Sequence, residues 1–62
     1  MDQIKIAIVE DMIDIAEYFA MVLGKEPDFE VVGMAHSGAK GVELVQKTVP
    51  DIVLMDIQME HQ

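Results

Sequence analysis

The segment IKIAIV at positions 4–9 places aliphatic side chains at adjacent positions and then stops abruptly at Glu10 and Asp11. Successive side chains of a strand point to opposite faces, so a run of this kind exposes apolar surface on whichever face is left uncovered. It predicts a strand covered on both sides, as in parallel sheets whose crossover helices lie above and below. A chain with such a strand needs more strands beside it and helices on two faces.

The segments that follow meet that need. Ile15, Phe19, Val22 and Leu23 recur at helical spacing, with Glu17 and Lys25 away from the stripe. Asp11 or Asp14 is expected to cap the start of this helix, and Gly24 with Pro27 to stop it. FEVVGMA at 29–35 reads as a second strand. Ser37 and Gly38 open a second helix, with Val42, Val45 and Val49 on one side and Glu43, Gln46 and Lys47 mostly on the other. Gly41 inside it costs about 1 kcal/mol relative to alanine, which either weakens the helix or marks close packing against a strand. Pro50 restarts the chain, and 52–57 forms a third strand. The order is β-α-β-α-β, and right-handed crossovers make the sheet parallel. If the second connection returns past the first strand, the strand order is 2-1-3 and the helices cover opposite faces. That reversal opens a crevice above the carboxyl ends of strands one and three, where open α/β sheets bind ligands. Glu10, Asp11 and Asp56 all arrive there.

Composition bounds the chemistry. Twelve Asp and Glu against four Lys give a net charge of −8 over 62 residues, which disfavours direct contact of this segment with nucleic acid or an anionic membrane. The 52% apolar content argues against disorder. No cysteine is present, so disulfides and thiolate metal sites are excluded and a cytoplasmic setting is expected. IKIAIVEDM is too short and too soon interrupted by acids for a signal peptide or membrane span. A chain this short buries only about 60% of its unfolded surface, and fewer residues are present than most layered α/β domains contain. A fragment of a longer polypeptide, or a chain that self-associates through the open edge of its third strand, is the expectation.

Three carboxylates gathered at one rim raise one another's proton affinity unless a cation neutralises them. A hard divalent ion with oxygen ligands, Mg2+ first among them, answers that problem. An Asp carboxylate beside such an ion can attack phosphorus to give an acyl phosphate. The simpler reading makes Glu10 and Asp11 helix caps. Asp56 is the sharper case, because it directly follows the apolar run Ile52–Met55.

KIAIVED at 5–11, the SG at 37–38 and PDIVLMDIQM at 50–59 together resemble the receiver domain of two-component response regulators. The stretch EPDFEVVGMAHSG at 26–38 looks like receivers joined to helix-turn-helix output domains. The resemblance implies a flavodoxin-like parallel sheet, here the amino-terminal half of the domain over 1–62, ending before the fourth and fifth strands. It implies that Asp56 accepts a phosphoryl group from a phosphohistidine on a sensor histidine kinase, the receiver catalysing its own modification. It also implies a Mg2+ site with Asp11 as a direct ligand, Glu10 acting through water, Asp56, and the backbone carbonyl of Gln58, and a DNA-binding output domain beyond these residues.

Some features depart from the family pattern. The acidic pair is Glu-Asp where Asp-Asp is commonest, and Glu60 stands where proline is usual. The Ser or Thr and the Lys that relatives bring from later strands have no substitute among Lys5, Lys25, Lys40 and Lys47. Weak Mg2+ binding and slow or absent phosphorylation are therefore expected. The alternative function is a phosphorylation-incompetent pseudo-receiver that acts as a protein interaction module. His36 and His61 are expected in solvent, as are Asp28, Glu30 and Asp51. Gly24, Gly33 and Gly38 form no nucleotide-cradling signature.

Overall fold

The structure, a computed structural model, describes residues 2–56 and contains β1 (Ile4–Glu10), α1 (Ile13–Gly24), β2 (Phe29–Ala35), α2 (Gly38–Thr48) and β3 (Ile52–Asp56). The strands form one parallel sheet in the order β2-β1-β3. This is the partial flavodoxin-like α/β arrangement that the sequence predicts. No helix among the described residues is long and apolar enough to cross a membrane.

The apolar run of β1 becomes the core. Ile6, Ala7, Ile8 and Val9 are each no more than 3% exposed. On one face Ile6 and Ile8 pack with Ala16 of α1, flanked by Phe19, Ala20, Leu23, Phe29 and Val31. On the other face Val9 meets α2, where a Cβ added to Gly41 would lie 3.0 Å from both Val9 methyl groups. The missing side chain is what allows the helix to sit down on the strand.

An irregularity in β2 serves the same contact. Ile6 pairs with Val31 but Ala7 pairs with Gly33, leaving Val32 as an extra residue. A bulge of this kind changes which side chains face which layer. It turns Gly33 toward α2, where a Cβ would come within 2.7 Å of Leu44 Cδ1.

The helices are rotated relative to the expected stripes. In α2 the inward line is Gly41, Leu44, Val45 and Thr48, whereas Val42 and Val49 are 57% and 72% exposed. Seating Gly41 on Val9 fixes this rotation, because residues three, four and seven further on share its face. In α1, Val22 likewise lies outside the buried line of Ala16, Phe19, Ala20 and Leu23. Ser37, expected at the opening of α2, caps it, its Oγ accepting from the Lys40 N–H at 3.2 Å. Neither Asp11 nor Asp14 caps α1, whose N-cap is Met12 without a side-chain bond. β1 continues through Glu10, and it is the Glu10 carboxylate that accepts from the Met12 N–H at the helix entry.

Asp51 is not merely solvated. Its Oδ2 accepts from the Lys5 N–H at 2.8 Å, and its own N–H donates to the Lys5 carbonyl at 2.9 Å. This two-way link starts β3 in register with β1. Ile57, expected as the last residue of β3, lies outside the described residues.

Gly41→Ala and Gly38→Ala should have opposite consequences. Helix propensity favours both, but nothing lies within 4 Å of a Cβ at Gly38, while Val9 is enclosed and β-branched and cannot yield at Gly41. In urea unfolding, Gly41→Ala should lower stability by on the order of 1 kcal/mol after its propensity gain, and Gly38→Ala should leave it unchanged or higher. Equal stabilisation by both would mean that α2 is not seated on Val9.

Candidate functional site

Five residues after the Lys5–Asp51 link, the parallel register sets Glu10 beside Asp56 at the carboxyl ends of β1 and β3. Asp11 follows at once in the turn into α1. The three acids therefore reach one rim, but they are not equivalent. Asp11 and Asp56 are exposed, whereas Glu10 is only 2% exposed. It is a strand residue beneath the other two.

Glu10 is half satisfied. Its Oε2 accepts from the Met12 N–H at 3.1 Å, while its Oε1 is buried with no hydrogen-bond partner among the described residues. The Met12 N–H favours the ionised form. Burial, contact with the Asp11 carboxyl and the charge and proximity of Asp56 together oppose it and win, so the Glu10 proton affinity is raised above its ordinary value. A bare buried oxygen among acids accepts either a proton or a cation.

His36 joins the same rim. The register carries Val9 opposite Ala35, and the next residue of each strand meets: His36 Nδ1 donates to the Glu10 carbonyl at 3.1 Å. The ring is exposed, as expected, but it is tied down. Its role is hidden in the sequence because it depends on pairing between residues 26 positions apart; the signal that reveals it is the continued β1–β2 register.

The donors present are hard oxygen atoms, and the orphaned Glu10 Oε1 is the kind of atom that a hard divalent cation satisfies. The residues thus fit such an ion. They form an incomplete set, since among the described residues no three His, Cys, Asp or Glu side chains make a metal cage by themselves. Water and backbone oxygen are needed to complete the coordination, as is usual for Mg2+. Gln58, the expected carbonyl ligand, lies outside the described residues, as do Met59, Glu60 and His61.

A family model described as the response regulator receiver domain matches residues 6–62. The transcriptional regulatory protein DegU of Brevibacillus brevis is 43% identical over 58 residues, covering 94% of this chain and 25% of that protein. LiaR, a transcriptional regulatory protein of Bacillus subtilis, is 37% identical over 57 residues, covering 92% of this chain and 27% of its own length. A protein-glutamate methylesterase/protein-glutamine glutaminase of Pyrococcus horikoshii is 33% identical over 57 residues, covering 92% of this chain and 16% of that protein. The chain thus spans about a quarter or less of the curated relatives it resembles. No solved structure gives a significant match.

Glu10→Gln tests the electrostatics of the rim. A raised carboxyl pKa means that the folded state binds the proton more tightly than the unfolded chain. Stability is therefore highest below the ordinary glutamate pKa and declines as pH rises through the raised one. Thermal melts without divalent ions should show that decline in the native chain. In the Glu10→Gln variant the melting temperature at neutral pH should be higher and this part of the pH dependence should flatten. A lower melting temperature at neutral pH would show that the Glu10 charge is already compensated.

Proposed function

The chain belongs to the response regulator receiver domain family, and from that premise we propose that it is a phosphoryl-accepting module of two-component signalling with Asp56 as the acceptor. The observation that carries this reading is the pairing of Asp56 with Glu10, whose buried Oε1 has no partner. An exposed carboxylate at the end of a strand can be approached by a phosphorylated donor. The acids around it supply a place for a divalent ion that would otherwise be pure repulsion.

The donor is a phosphohistidine on a sensor histidine kinase. An Asp56 oxygen attacks phosphorus; the new O–P bond forms as the P–N bond breaks, and the departing histidine nitrogen keeps the electron pair and takes up a proton. Mg2+ is the proposed cofactor, held by Glu10, Asp11, Asp56 and the Gln58 carbonyl. When bound, it offsets negative charge on the transferring group. Glu10 anchors the site from below, with its backbone held by His36 and its carboxylate steadied by the Met12 N–H.

Cationic help from the described residues is missing. Lys5 lies at the opposite end of β1, Lys25 follows α1, and Lys40 and Lys47 belong to α2. Phosphoryl transfer generally draws on several positive or donor groups, so slow modification is the reading for these 62 residues. DegU and LiaR are transcriptional regulatory proteins much longer than this chain, which supports a cytoplasmic, DNA-binding output controlled through the receiver. The receiver segment itself, with a net charge of −8, makes no direct nucleic-acid contact in this reading. Ile52, Val53 and Met55 are exposed on β3, the surface proposed for self-association.

The second reading is a pseudo-receiver that binds partners without phosphorylation. It is favoured by the lack of a three-acid cage among the described residues. Labelling with an isotopic small acyl phosphate separates the two. The expected result is slow incorporation that requires Mg2+ and is abolished by Asp56→Asn. Label that survives Asp56→Asn overturns the acceptor assignment, and rapid stoichiometric label overturns the predicted slowness. No label, together with Mg2+ binding indifferent to Asp11→Ala, selects the pseudo-receiver.

A further inference from the structure

A cleft of about 530 Å³ runs between the outer edge of β2 and helix α2, meeting the acidic rim at His36. Its apolar lining comes from Met34, Ala35 and Leu44, and its polar lining includes His36, Lys40 and Lys47. Two of the four lysines of an otherwise strongly acidic chain stand here. One acid, Glu43, accompanies them, its Oε1 lying 3.8 Å from Lys40 Nζ with both side chains largely exposed. Exposed pairs of this kind are weak and easily exchanged for a better partner.

The backbone beside the cleft is also available. β2 pairs with β1 on one side and has no strand on the other among the described residues. An open strand edge offers unpaired N–H and C=O groups to an added extended segment. Lys40 and Lys47 lie seven residues apart and so share a helix face, separated by roughly 10 Å at about 1.5 Å per residue. An extended chain covers that distance in about three residues, within reach of the flexible lysine stems. Acidic side chains spaced two to four residues apart on such a segment can meet both ammonium groups while its apolar side chains rest on Leu44.

We propose that the β2–α2 cleft is a docking groove for an acidic, extended segment of a partner protein, which adds along β2 and pairs its carboxylates with Lys40 and Lys47. Charge decides the occupant. A basic segment would be drawn to the acids elsewhere on the surface and repelled here. A nucleic acid would meet a net charge of −8 on the chain and finds no Phe, Tyr or Trp in the cleft on which to stack. This groove shares His36 with the acidic rim but is lined by none of Glu10, Asp11 or Asp56, so it stands whether or not Asp56 is phosphorylated.

The test uses the full chain and a short fluorescent peptide of alternating Val and Glu, followed by anisotropy and by backbone amide shifts. Binding should move the amides of Ala35, Ser37, Lys40, Leu44 and Lys47 and weaken as salt is raised. Lys40→Glu combined with Lys47→Glu should weaken binding about tenfold or more, the Lys-to-Gln pair should fall between, and Lys25→Glu should change it less than about twofold. Lys40 is largely exposed, so the fold tolerates these changes. Absence of binding, equal affinity for the Val/Gln peptide or for an oligothymidine of the same charge, amide shifts centred elsewhere, or an equal loss with Lys25→Glu would overturn the proposal.

Discussion

The central strand has to satisfy two faces and two edges at once. Its side chains alternate between α1 and α2, and its backbone bonds to β2 on one side and to β3 on the other. A one-residue slip against either neighbour would send the wrong side chains into the wrong layer. The register is therefore held at its ends: Asp51 clasps the Lys5 backbone at the start of β3, and His36 holds the Glu10 carbonyl where β2 gives way to α2. The position of Asp56 follows from that register.

The same strand that builds the core carries an acid into it. Glu10 continues the buried run of β1 by one residue and brings a carboxylate below the rim with one oxygen unsatisfied. Buried polar atoms without partners are costly and rare. A pure packing solution would place an apolar or amide side chain there. That cost is what the proposed cation site would offset.

Much of this is legible in the sequence, and the misses share a cause. Adjacent aliphatics in β1, the punctuation at Gly24–Pro27 and Pro50, and Ser37 with Gly38 opening the second helix lead to the observed elements and to the 2-1-3 order. Glu10, Asp11 and Asp56 stand out because each ends or follows a strand. Periodicity alone misjudges the inward faces of the helices, because Gly41, with no side chain to score, sets the rotation of α2. Asp51 and His36 look like loop residues since their partners lie 46 and 26 positions away. Helix capping falls to Asp11 or Asp14 in the sequence because strand ends are read only to within a residue or so, and β1 extends through Glu10.

The central claim is that the β1–β3 register gathers the acids at one rim as a cation site. Paramagnetic broadening by Mn2+, a hard divalent ion of similar ligand preference, measures this directly on the backbone amides. The account predicts that substoichiometric Mn2+ first erases the amides of Glu10, Asp11, Met12 and Asp56, while those around Glu17, Glu26 and Glu30 persist. Broadening spread evenly over all acidic residues, or beginning on the far end of the sheet, would contradict it.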